Sequence, residues 1–99
     1  MRLDVEFYPE AENELAEGAE YYFGVEPRFE GEFLDEAFRA ISHIRENPAS
    51  CPLVVDSIRR KVLGKYPYSI FYIETNDLIR VIAVAHHKRR PLYWLNRLQ

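Results

Sequence analysis

The sequence predicts an α+β domain: an N-terminal strand and a helical hairpin packed on an antiparallel sheet, in the order β-α-α-β-β-β-α. Three observations carry this expectation. Apolar residues in the first half recur every three to four positions, the helical period, whereas in the second half they fall in short strand-like runs. Turn chemistry at Thr75-Asn76-Asp77 separates two of those runs. A length of 99 residues with 47% apolar content supports one core, and so a single domain over residues 1–99. A helical hairpin laid on one face of a sheet is the simplest way to close such a set of elements.

Leu3, Val5 and Phe7 alternate with Asp4 and Glu6, the pattern of a half-buried strand. Pro9 suits the first turn of a helix, where its missing N–H costs nothing. Glu10, Glu12 and Glu14 favour the positive end of the helix dipole. Ala11, Leu15, Ala19, Tyr22 and Phe23 form an apolar stripe, and Gly24 marks the expected helix end. A second helix spans residues 27–46 with Phe33, Ala37, Phe38, Ile41 and Ile44 as its stripe, stopped by Asn47-Pro48. After a loop over residues 48–52, strands are expected at 57–63, 68–74 and 78–85, the last two as a hairpin. A short helix over residues 91–98 closes the chain. Tyr68, Ile70 and Tyr72 face one way and Phe71 and Ile73 the other. Both faces of this hairpin are therefore apolar, and the second is covered by the tail or kept for a partner.

Charge is divided along the chain. Residues 1–50 hold thirteen acids against four arginines, a net of −9, and residues 51–99 hold nine Lys/Arg against three acids, a net of +6. The total of −3 argues against indiscriminate nucleic-acid binding, while a basic, aromatic C-terminal half suits a polyanion or an acidic partner. No apolar run reaches the roughly 20 residues of a membrane span. The N-terminus lacks the pattern of a secretory signal. A single cysteine, Cys51, forms no internal disulfide, so a reducing cytoplasm is the expected compartment.

Individual residues carry structural and functional readings side by side. His86 and His87 are adjacent on a strand and point to opposite faces, which argues against shared metal ligation. His86, grouped with Val84 and Ile82, reads as a strand end held by a hydrogen bond. Lys88-Arg89-Arg90 reads as a solvated loop or as a contact for phosphate or carboxylate. Arg80 is expected opposite Glu74 across the hairpin. Tyr93 and Trp94 read as packing anchors for the last helix. Glu10, Glu14 and Glu17 read as one solvated helix face.

The motifs Pro9-Glu10-Ala11, the acidic helical hairpin, Asn47-Pro48, YPYSIFY and VIAVAHHKRRPLYW occur in an order that resembles the RelE/ParE toxin superfamily of type II toxin–antitoxin modules, also called plasmid stabilisation proteins. The resemblance implies a small cytoplasmic toxin neutralised by a cognate antitoxin in a hetero-oligomer. One branch of the superfamily cleaves messenger RNA on the ribosome; the other poisons DNA gyrase without nuclease chemistry. The cleaving branch carries Lys-x-Lys, an Arg after a strand-initial Tyr, a strand-end Arg and a Tyr six residues on. Here these positions are Arg60, Val62, Ser69, His87 and Tyr93. One base is kept in kind and the Tyr is present, while three positions depart.

The leading expectation is therefore a gyrase-binding toxin that presents Arg59, Arg60, Lys61, Lys88, Arg89 and Arg90 to its target. Tyr68, Tyr72, Arg80, His86 and Trp94 are expected to meet the antitoxin. The alternative is a metal-independent endoribonuclease acting on ribosome-bound messenger. It would use Tyr93 as base, Arg60 with residues 88–90 as phosphate clamp and His87 as acid. A third reading is a non-toxic interaction module of the same fold. None of these requires a cofactor, a metal or a membrane.

Overall fold

A computed structural model describes residues 3–98. The chain runs through β1 (Asp4–Phe7), α1 (Pro9–Val25), α2 (Pro27–Glu46), a 3-10 turn (Pro48–Ser50), β2 (Leu53–Val55), β3 (Ile58–Val62), β4 (Tyr68–Thr75), β5 (Leu78–His86) and a C-terminal 3-10 turn (Leu95–Leu98).

Prolines set the helix boundaries. Pro9 and Pro27 each open a helix, and the residue before Pro27, Glu26, is extended (φ −159°, ψ 129°) because a following proline disfavours the helical conformation. Asn47 before Pro48 ends α2 in the same way, with its N–H bonded back to the carbonyls of His43 and Ile44. Gly24 is not the helix end that the sequence suggested. α1 continues through it to Val25, and no glycine has positive φ among the described residues. The break belongs to the Glu26-Pro27 step.

The sheet has five strands in the order β1-β5-β4-β3-β2. All neighbours are antiparallel except β1 and β5, which run parallel, so the sheet is mixed rather than wholly antiparallel. Asn76 (φ 46°) and Asp77 (φ 65°) form the two-residue turn that pairs Thr75 with Leu78. Positive φ at both positions matches the right-handed twist of the flanking strands. The segment of Leu53, Val54 and Val55, expected within or beyond a loop, is an additional edge strand joined to β3 by a turn with Asp56 at φ 50°.

A bulge in β5 decides which side chains share a face. Phe71 pairs with Ala83 and Tyr72 with Val81, leaving Ile82 as the extra residue. Ile79, Val81 and Val84 consequently pack toward the helices, with Ile70, Tyr72, Phe33, Ile41 and Ile44. Ile82 and Ala83 pack on the opposite side with Ile58 and Trp94. The grouping of His86 with Ile82 is therefore corrected: His86 stays with Val84 and Tyr68, and the bulge turns Ile82 away. Trp94, 1% exposed and 4.7 Å from the Phe71 ring, shows how the second apolar face is covered: the tail folds over it. That tail is not the helix expected over residues 91–98. Leu92 has φ 61°, and regular 3-10 structure begins only at Leu95.

Two stripe assignments also change. Phe23 and Phe38 are half exposed, and the buried helix positions are instead Ala11, Glu14, Leu15, Gly18 and Ala19 on α1 and Phe33, Ala37, Ala40, Ile41 and Ile44 on α2. Gly18 is the point of closest approach. A β-carbon there would lie 2.9 Å from Phe33 Cζ and 3.2 Å from the Tyr68 hydroxyl. Gly18→Ala should destabilise the protein by about 1–3 kcal/mol through overpacking, despite the better helix propensity of alanine. Urea unfolding followed by circular dichroism measures this, and a more stable variant would contradict the packing described.

Candidate functional site

Strand register builds a groove on the sheet face opposite the helices. Arg60 pairs with Phe71, Val62 with Ser69, and Ser69 with Ala85, so Arg60, Ser69 and the end of β5 lie side by side. Ser69, 2% exposed, joins two functional groups from different strands. Arg60 Nε–H donates to Ser69 Oγ at 3.1 Å, and Ser69 Oγ shares a hydrogen bond with His87 Nε2 at 2.9 Å. The chain beyond His87 then bends over this row. Arg89, Arg90 and Leu92 form the rim, Phe71 and Trp94 the apolar floor, and the enclosed volume is about 210 Å³. No carboxylate lines the groove among the described residues, and neither Lys88, Arg89 nor Arg90 forms an ion pair there. Three arginines and two histidines around an aromatic floor can hold an anionic group together with an apolar or planar one.

A buried polar cluster fixes the back wall of this groove. Glu14 sits on the buried stripe of α1 and is 9% exposed. Its Oε1 accepts the Val84 N–H at 3.0 Å and Arg97 Nη1 at 3.0 Å, and its Oε2 accepts Arg97 Nη2 at 2.8 Å and the Tyr93 hydroxyl. Arg97 also donates to the Ile82 carbonyl at 3.0 Å. Burial alone raises a carboxyl pKa, but hydrogen bonds from Arg97, Tyr93 and Val84, with the charge of Arg97, outweigh it and hold Glu14 below its ordinary 4.5. Burial and the adjoining carboxylate push the Tyr93 phenol well above its ordinary value. The Arg89 guanidinium lies 3.9 Å from the centre of the Tyr93 ring.

The profile of the family described as "ParE toxin of type II toxin-antitoxin system, parDE" matches residues 5–91. This chain belongs to the ParE toxin family. Among solved structures, the ParE-family chain is similar to one titled "Chromosomal ParDE TA system from P. aeruginosa". The TM-score is 0.75 at 13% identity, covering 86% of this chain and 96% of the other, which supports the shared fold. No curated protein matches the sequence. The fold and family agree with assignment to the wider RelE/ParE superfamily.

Within this ParE-family fold, the residues singled out from sequence divide into three groups. Arg60, His87, Arg89, Arg90 and Tyr93 line one groove, as do His86 and Trp94 in part. Arg59 and Lys61 do not join them, because alternation along β3 turns both toward the helix side. Arg59 donates to the Cys51 carbonyl at 2.7 Å, and Lys61 borders α2 near Glu36 and His43. Lys88 lies beside Glu17 and Tyr21, on the α1 side of the tail.

Tyr68, Tyr72 and Trp94, expected to meet a partner, are buried and act in packing. Tyr72 is 0% exposed, with its hydroxyl bonded to the Pro48 carbonyl at 2.7 Å. Arg80 lies near Glu6 of β1 (3.7 Å), not Glu74, because β1 is its neighbour on that edge. His86 ends β5 as its sequence reading supposed, with Nδ1 accepting the Lys88 N–H at 3.0 Å. Burial, with the charges of Lys88 and His87, keeps its pKa below 6.5, consistent with that acceptor role. Among the described residues, no group of three or more His, Cys, Asp or Glu is arranged to hold a metal, and no helix is long and apolar enough to cross a membrane.

Glu14 and Arg97 were missed from the sequence. Glu14 was read as part of a solvated acidic face. The available signal was its position three residues after Ala11, beside Leu15 and four before Gly18, which places an acid inside the apolar stripe. Glu14→Ala leaves the Arg97 guanidinium and the Val84 N–H without their acceptor and should cost about 3–5 kcal/mol in thermal or urea unfolding. The folded-state pKa of Glu14 lies below the unfolded value. Its stabilising contribution is therefore complete above about pH 4.5 and disappears as pH falls through the lowered folded value. Wild type and Glu14→Gln should accordingly converge in stability at low pH and diverge toward neutrality. Parallel curves across that range would contradict the assignment.

Proposed function

We propose that this chain is the toxin of a type II toxin–antitoxin pair, that it inhibits DNA gyrase in the cytoplasm by binding, and that a cognate antitoxin neutralises it. Membership of the ParE family supports the toxin assignment. The observation that favours binding over RNA cleavage is the state of Tyr93. A ribonuclease on this surface needs a group that accepts a proton from the 2′-hydroxyl. Tyr93 commits its own O–H as a donor to the Glu14 carboxylate, and burial with that carboxylate raises its pKa further. Ser69 stands where the resemblance places an arginine in both branches, so it does not choose between them. What remains is a recognition surface: Arg60, Arg89 and Arg90 over the apolar floor of Phe71 and Trp94.

The antitoxin reading follows from the same chemistry. A flexible acidic segment with apolar anchors can neutralise the cationic rim and cover the exposed Leu92 and Val54 side chains that line it. Such a segment would gain affinity from charge and burial together, and its binding would weaken with salt.

Induction of the protein in a bacterial host should arrest growth, inhibit gyrase supercoiling and leave ribosome-bound messenger intact. Arg60→Glu combined with Arg90→Glu should weaken supercoiling inhibition by the purified protein at least tenfold. Messenger cleavage that is lost on His87→Ala would overturn the binding reading in favour of the nuclease.

A further inference from the structure

Arg89 forms no ion pair among the described residues, yet it belongs to the rim through which the proposed binding occurs. A long cationic side chain on a loop loses considerable rotamer entropy when a partner fixes it, so an arginine held in place beforehand binds more tightly. Here the holding surface is the Tyr93 ring, 3.9 Å from the guanidinium carbon. The ring is itself held from behind. Its hydroxyl donates to Glu14, which is fixed in turn by Arg97 and the Val84 N–H.

We propose that Glu14, largely buried on α1, is a positioning residue for binding: through the Tyr93 hydroxyl it sets the ring on which Arg89 stacks, and so presents Arg89 to the partner. The inference rests on the binding reading above and adds to it a residue from the opposite side of the sheet. Two physical effects act in the same direction. The hydrogen bond fixes the ring plane, so the guanidinium meets a defined surface. Donation of the phenol proton to a carboxylate also enriches the ring in electron density, which strengthens its attraction for a cation. Arg97, 5.2 Å from the same ring, is committed to Glu14 and Ile82 and so is not available at the rim.

A double-mutant cycle separates this role from a purely structural one. Supercoiling inhibition is measured for the wild type, Glu14→Gln, Arg89→Ala and the double variant, at a temperature where melting curves show each of them folded. The expected result is that Glu14→Gln weakens inhibition by roughly five- to tenfold in the wild-type background, the scale of one cation–π contact. In the Arg89→Ala background the same change should have an effect of less than about twofold. Equal losses in both backgrounds, or no loss on Arg89→Ala alone, would overturn the proposal.

A second measurement is independent of gyrase. In the wild-type protein the Arg89 Cδ protons should resonate upfield of ordinary arginine because of the Tyr93 ring current. Glu14→Gln should move them back, while Trp94 fluorescence reports an intact fold. Unshifted Arg89 protons in the wild type would overturn the proposal by themselves, whether or not the variants fold. If the wild type does not inhibit gyrase, the functional reading falls while the resonance measurement still decides the positioning.

Discussion

The structure depends most on how the edge of β5 is completed where β1 ends. β1 pairs with β5 only as far as Val81, and the bulge at Ile82 follows immediately. Beyond that point the Val84 N–H and the Ile82 carbonyl need partners that no strand provides, and leaving buried backbone groups unpaired costs about 1–3 kcal/mol each. Glu14 takes the first and Arg97 the second, and the two then pair with each other. One ion pair thus completes a sheet edge, joins α1 to the last residues of the chain and draws the tail across the second apolar face. A buried ion pair is weak evidence for stability by itself. Its value here comes from the backbone groups it satisfies and from the segments it brings together.

The sheet consequently works on both sides with different tasks. Toward the helices it is a conventional core, closed by Phe33, Ile41 and Ile44 and by the Tyr22, Tyr66 and Tyr68 rings. Toward the tail, Trp94 seals only the middle, over Ile58, Ile82 and Ala83. Beside it the groove carries Arg60 and His87 around the buried Ser69. The same tail that buries the apolar centre also contributes Arg89 and Arg90 at its entrance. The core and the groove therefore share a segment, and the groove forms only when the tail is seated.

Much of this was legible in the sequence. Helix starts at Pro9 and Pro27, the stop at Asn47-Pro48 and the Asn76-Asp77 turn depend on local backbone preferences, and local chemistry stated them. The groove residues Arg60, His87 and Tyr93 were named by the spacing of a resemblance. The failures share a different cause. The parity of Ile82 was misjudged because a bulge is set by tertiary packing and has no marker in a run of Val, Ile and Ala. Arg59 and Lys61 were placed with Arg60 because adjacency in sequence was given more weight than alternation along a strand. Glu14 was read as solvated because its partner lies 83 residues away, a separation that no periodicity reports. β2 was not recognised because three residues are too few to establish an alternation.

Glu26 closes one helix and opens the next, so α1 and α2 meet with a single extended residue between them. Such a joint has almost no slack. Adding or removing one residue in the first turn of α2 would rotate everything downstream by about 100° relative to its partner, carrying Phe33 and Ile41 off the core. Changes in chain length are therefore poorly accommodated at the hairpin tip. Residues 88–92, which bear the rim arginines, lie outside any helix, so a change of length there carries no such rotation as long as Tyr93 and Trp94 keep their seats.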